Sequence, residues 1–161
     1  MSTLNDIGDT LVAAVKSYLG DQACRDYGAI FRSMGLPPLE CNQIAVWMRD
    51  SERNPSVSNR CADYRIETWV IQIARCCPAI ESQEAFPFDA LEKEAACFYR
   101  DIQLIDECLT CSIKDLLDPF TVCRDDAVVL GVQPDGSRQG GCYASEIWVQ
   151  YKRPVCCPEE E

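Results

Sequence analysis

Histidine is absent from this chain of 161 residues. That removes the commonest general base near neutral pH, the Ser-His and Cys-His nucleophile pairs, and the commonest metal ligand. Zinc fingers and His-ligated catalytic metal centres cannot be written without it. Positive charge is also scarce, with 15 Lys and Arg against 26 Asp and Glu and a net charge of -11. So acidic a surface repels phosphate backbones and anionic lipid, which opposes nucleic-acid or membrane binding held by charge. No apolar run reaches the length of a membrane span, so a soluble chain is expected. The opening MSTLNDIGDTLVAA has neither the basic stretch nor the unbroken apolar stretch of a secretory signal.

What is present suits one folded domain. Hydrophobic residues make up 47% of the chain, enough for a core, and the length fits a single unit. We read residues 1–157 as that domain and 158–161 as an acidic end. Cysteine is abundant, with 12 residues. Such a number is compatible with free buried thiols, with some disulfides, or with metal binding. A protein made in a reducing cytoplasm that later meets oxidising surroundings, as a virion component does, would accommodate the first two. Cys108-Leu-Thr-Cys111 has redox spacing, but it falls inside a helical pattern rather than at a strand-to-helix turn. A zinc site there would need two more thiolates, and the adjacent pairs Cys76-Cys77 and Cys156-Cys157 fit one tetrahedral ion poorly.

Periodicity supplies the elements. Leu4, Ile7, Leu11, Ala14, Val15 and Tyr18 recur at helical spacing, so a helix is expected over Thr3–Leu19, with Thr3 as N-cap and Gly20 as stop. After the breaker Gly35-Leu-Pro-Pro38, alternation from Leu39 to Met48 indicates a strand, followed by a polar loop over 49–59. Tyr64 to Cys76 is the strongest strand pattern. Its Trp69, Ile71 and Ile73, with Ile66 and Val70, crowd both faces, which implies a central strand or one covered by a partner. Asp89 opens a helix that Asp118-Pro119 ends. At about 29 residues it would span roughly 43 Å, a length that leaves room for a break near Thr110-Cys111-Ser112. Two further strands, Ala127–Gln133 and Cys142–Tyr151, flank a turn from Pro134 to Gly141 marked by Asp135-Gly136 and Gly140-Gly141. The order α-β-β-α-β-β makes an α+β domain: a mostly antiparallel sheet of about four strands with the N-terminal helix and one long helix packed on it.

Two constellations remain. Cys97, Leu104, Cys108 and Cys111 form a second stripe on the long helix, roughly 120° from its main apolar stripe. Either this is weakly apolar surface, or a neighbouring subunit covers it. Glu81, Glu84, Asp89, Glu92 and Glu94 gather at the start of the same helix, where acids complement its dipole. No catalytic, cofactor-binding or metal-ligating set is legible, and no cofactor is expected.

Three stretches carry a family resemblance. They are Glu40-Cys-Asn-Gln-Ile-Ala-Val-Trp47, then Tyr64 to Arg75 with the Cys76-Cys77-Pro78 ending, and Gly131-Val-Gln-Pro-Asp-Gly-Ser-Arg-Gln-Gly-Gly141 followed by Ala144 to Tyr151. In this order around one long helix, they resemble the tail terminator and related head-tail connector proteins of long-tailed bacteriophages, especially those infecting actinobacteria. The resemblance implies a non-enzymatic virion protein, assembled in the host cytoplasm, whose subunits form a hexameric ring. The ring would cap the tail tube protein, join it to the head-side connector or stopper, and let DNA pass without specific binding. Trp69, Ile71, Cys97, Leu104, Cys108, Asp135, Gly136, Arg138, Gly140 and Gly141 are then the expected interface residues. The alternatives are another neck component, stopper or adaptor, and a cysteine-rich cytosolic metal or redox protein.

Overall fold

A computed structural model describes residues 4–37, 42–53, 64–76, 88–139 and 142–154. It is α+β, with two helices on one face of a five-stranded mixed sheet. The elements run α1 (Leu4–Leu19), β1 (Ala29–Arg32), β2 (Gln43–Arg53), β3 (Tyr64–Cys76), α2 (Phe88–Leu117), β4 (Val128–Gln139) and β5 (Cys142–Pro154). Two 3-10 turns, Asp118–Phe120 and Arg124–Asp126, join α2 to β4. The expected Thr3 cap, the acids Glu81 and Glu84, Glu40-Cys41 and the acidic end fall outside the described residues.

The strand order is β1-β2-β3-β5-β4. Strand β1 is the fifth strand that alternation did not indicate, since its four residues, AIFR, are too few to establish a period. It pairs parallel with β2, and every other pairing is antiparallel. Because β5 is antiparallel to both β3 and β4, those two strands run the same way. Helix α2 is therefore a crossover that skips one strand position, and β5 fills the gap.

Strand β3 matches its expected bounds, while β2 and β4 run further. Strand β2 continues through the polar Arg49–Arg53 by means of a bulge between Met48 and Asp50. Strand β4 runs through Asp135-Gly136, so that dipeptide is not the hairpin tip. The extra residues appear instead as a register shift between Asp135 and Gln139. A second irregularity lies between Val129 and Gly131, where Gly131 takes φ 103, a conformation a side chain would resist.

The core lies between the helices and the inner sheet face. Ile7, Leu11, Val15 and Leu19 of α1 meet Phe98, Ile102, Ile105, Leu109 and Ile113 of α2 over Ile44, Val46, Ile71, Ile73, Ile147 and Val149. Helix α2 is unbroken at Thr110-Cys111-Ser112. Leu109 and Ile113 hold both sides of that point in the core, and the Ser112 hydroxyl donates back to the Cys108 carbonyl at 2.8 Å.

Helix α1 approaches the sheet at Gly8, where a Cβ would stand 2.6 Å from Cδ of Arg32 and 3.1 Å from the Trp69 ring. Gly8→Val should therefore lower stability by about 1–3 kcal/mol through overpacking, despite valine's better helix propensity. Gly35→Ala, with nothing within 4 Å of its Cβ position, should stay within about 0.5 kcal/mol of the parent. Urea unfolding of both variants checks the contrast.

Candidate functional site

The inward row of β3 reads Glu67, Trp69, Ile71, Ile73, Arg75. Both charged ends are fully buried, at 0% exposure. An uncompensated charge in such a place would cost several kcal/mol, so each end needs partners.

At the Arg75 end the partners come from α2 and from residues 20–28, which leave α1 and strap across α2. Arg75 pairs with Glu94 through Nη2 and with Asp101 through Nη1 at 3.3 Å. Tyr27 links the pieces: its hydroxyl accepts from Arg75 Nη1 at 3.2 Å and donates to Asp101 Oδ2 at 2.8 Å. The Cys24 backbone N–H donates to Asp101 Oδ1 at 2.8 Å, and Arg25 pairs with Glu94 at 3.0 Å. Burial alone would favour a neutral Arg75, but its bond to Tyr27 and the charge of Glu94 outweigh it and raise its pKa. Burial likewise pushes the Tyr27 hydroxyl well above the ordinary phenol value.

A disulfide between Cys24 and Cys97 closes this strap, with Cα atoms 5.5 Å apart. Its sequence separation of 73 residues corresponds to about 4 kcal/mol of removed denatured-chain entropy. Cys97 is 7% exposed and Arg75 Nη2 stands 3.6 Å from its sulfur, whereas Cys24 is exposed. A shallow depression lined by Ala23, Cys24, Arg25, Asp26 and Asn42 opens beside the bond.

The other end of the row is closed separately. Glu67 accepts from Arg153 Nε at 2.7 Å, from Ser51 at 3.0 Å and from Tyr151 at 3.1 Å. Tyr151 in turn accepts from Trp69 Nε1 at 2.7 Å. Desolvation raises the Tyr151 pKa strongly, and the charge of Glu67 adds to it.

Of the ten expected interface residues, two lie on β3, three on α2 and three on β4. Trp69 and Ile71 lie in the core beneath the helices, at 3% and 0% exposure. The apolar character of β3 on its second face is met within the chain, where Val70 packs with Ala45 and Trp47, flanked by Phe31 and Trp148. No partner subunit is needed to explain that strand. The second stripe of α2 is covered from within only in part: Cys97 by the Cys24 strap and the Cys108–Ser112 turn by Tyr18, whose hydroxyl contacts Ser112, while Cys111 is exposed. Leu104 packs partly against the core, and Cys108 and Cys111 are free thiols. Asp135, Gly136 and Arg138 belong to the backbone of the β4–β5 ribbon, while Gly140 and Gly141 lie outside the described residues.

Sequence reasoning missed the Arg75 cluster. Glu94 read as a dipole partner, but its carboxylate neutralises Arg75 and Arg25. The available signal was parity: Arg75 shares the inward register of Ile71 and Ile73. Among the described residues no group of three or more Cys, Asp or Glu could hold a metal ion, and no helix is long and apolar enough to cross a membrane. Compared with known proteins, the chain matches no family model and no curated protein.

Asp101→Ala strands a buried guanidinium and removes the acceptor of two strap donors. It should cost about 3–5 kcal/mol, whereas Asp9→Ala, whose partner Arg32 is exposed, should cost under about 1 kcal/mol. Urea titration separates the two. The tyrosines set an alkaline limit. An unfolded phenol ionises near its ordinary value of 10.0, but buried Tyr27 and Tyr151 resist ionisation until well above it. Their stabilisation is complete below that value and is lost progressively as pH rises from it toward the raised values of the folded state. Urea midpoints should therefore fall above about pH 10, and absorbance of phenolate should show these two tyrosines ionising only on unfolding.

Proposed function

We propose that this chain is a structural subunit that assembles with copies of itself, in the manner of the phage tail terminators its motifs resemble. The observation that carries the reading is the edge strand β4. Among the described residues this 12-residue strand pairs only with β5. It presents Val128, Leu130 and Val132 at 38–46% exposure. Natural proteins blunt a free edge with charge, proline, bulges or cover; β4 carries Pro134, Asp135 and Arg138 in its second half, whereas its first half, Val128–Val132, leaves three aliphatics exposed on either side of the irregularity at Gly131, where a neighbour could be received. Pairing around a closed ring leaves no edge free.

In this reading the ring is a homohexamer of the virion neck. It caps the tail tube, meets the head-side connector or stopper, and performs no turnover. The net charge of -11 supports it, because a channel through which DNA slides should not grip phosphate. A stopper or adaptor ring would use the same kind of edge, and its position in the particle distinguishes it.

Light scattering of the purified chain, with and without reductant, should give a discrete oligomer, seen as a ring by negative-stain microscopy. A permanent monomer overturns the reading. Leu130→Lys, which buries an unpaired ammonium in the edge contact, should weaken assembly by roughly a hundredfold or more while leaving the circular dichroism of the subunit unchanged.

A further inference from the structure

A second observation, independent of assembly, concerns the bond between Cys24 and Cys97. Its two sulfurs stand in unlike surroundings. Cys24 is exposed and lines the shallow depression with Arg25 and Asn42. Cys97 is 7% exposed, with the fully buried guanidinium of Arg75 3.6 Å from its sulfur. Arg75 also carries a buried Nε with no hydrogen-bond partner among the described residues, so its donors are not exhausted by Glu94, Asp101 and Tyr27.

We propose that this disulfide is a directional thiol-exchange site, in which a low-molecular-weight thiolate attacks Sγ of Cys24 and Cys97 leaves as a thiolate beside Arg75. The new bond joins the incoming sulfur to Cys24. The electron pair of the broken bond goes to Sγ of Cys97, where the guanidinium stabilises it. A second thiolate can then attack the mixed disulfide at the incoming sulfur, releasing Cys24 as a thiolate and forming the small-molecule disulfide. Access sets this direction, since Cys24 is an exposed residue and Cys97 a buried one; at the inner sulfur the Arg75 Nη2 donor at 3.6 Å works against the carboxylates of Glu94 and Asp101, three residues before and four after Cys97 on α2.

The exchange leaves the fold standing. The strap keeps its Cys24 N–H and Tyr27 bonds to Asp101 and the Arg25 pair with Glu94. What it loses is the covalent tie that holds residues 20–28, and with them the start of β1, against α2. The site thus modifies Cys24 with the thiol it meets and loosens one edge of the sheet.

The test uses the oxidised, native, full-length protein with millimolar glutathione near neutral pH. Acid quenching, alkylation with iodoacetamide and peptide mass mapping then locate each group. Glutathione should sit on Cys24, and the alkyl group on Cys97, with roughly tenfold or greater preference over the reverse. Glutathione on Cys97, an even split, or a bond that yields only when urea unfolds the chain overturns the proposal. In Cys24→Ser the alkylation of Cys97, followed against pH, should show a midpoint below the usual thiol value of about 8.5 if the Arg75 donor outweighs burial and the carboxylates of Glu94 and Asp101. A midpoint at or above that value removes Arg75 from the mechanism. Neither readout depends on whether the chain forms rings.

Discussion

A single positive charge sealed inside an apolar sheet face governs much of this architecture. Arg75 occupies the last inward position of β3 that the structure places in the core, at 0% exposure. A buried guanidinium is tolerable only where carboxylates and hydrogen-bond acceptors surround it. Helix α2 supplies Glu94 and Asp101, seven residues apart and so on one face. That requirement sets the rotation of α2 about its axis, and the same rotation turns Phe98, Ile102 and Ile105 toward the sheet. The strap after α1 is drawn in by the same carboxylates through Arg25, Tyr27 and the Cys24 backbone. The disulfide then ties covalently what the charges have already brought together.

Glu67, at the opposite end of the same row, is the mirror case in charge. It is enclosed by Arg153, Ser51 and Tyr151, from β5 and β2. About eight residues of strand separate the two ends, on the order of 26 Å. Between them the row is Trp69, Ile71 and Ile73, fully apolar. An inward row with a charge at each end and hydrocarbon between fixes the register of β3 against both neighbours, because a slip of one residue would expose the apolar set and move both charges to the outer face. Charged ends of this kind add specificity of pairing, while the burial between them supplies the driving force.

The same sheet is closed unevenly. Its β3 centre is covered on the inner face by helices and on the outer face by paired aromatics, Trp47 and Trp148 around Val70. Arg49 lies over Trp148 at 3.9 Å, adding a cation to that cover. Strand β4 meets α2 and adds Val129 to the core, yet leaves Val128, Leu130 and Val132 exposed, and this contrast directs attention to it as an assembly edge rather than to the apolar crowd on β3. A central strand rich in Trp and Ile reads the same in a monomer core and in a subunit interface. Only the position of the neighbouring elements distinguishes them.

Both helices, β3 and β5 were legible in the sequence, with β3 matching at both ends, because their apolar periods are long and their breakers clear. The short strand β1 was not, since four residues cannot display a period. Neither was the continuation of β4 through Asp135-Gly136, where ladder pairing with β5 overrides a local turn preference. Of the candidate site, composition showed that no histidine chemistry operates and that cysteine chemistry could. It did not show which thiols meet: Cys24 and Cys97 are 73 residues apart, and with 12 cysteines the possible pairings are too many for spacing to choose among. Local sequence determined where the chain coils and extends, because those preferences act over a few residues. The meeting of Arg75 with Glu94, Asp101 and Tyr27, and of the two sulfurs above them, was decided only by tertiary structure. A buried charge selects its partners by distance in space, and that distance exists only once the helix has docked on the sheet.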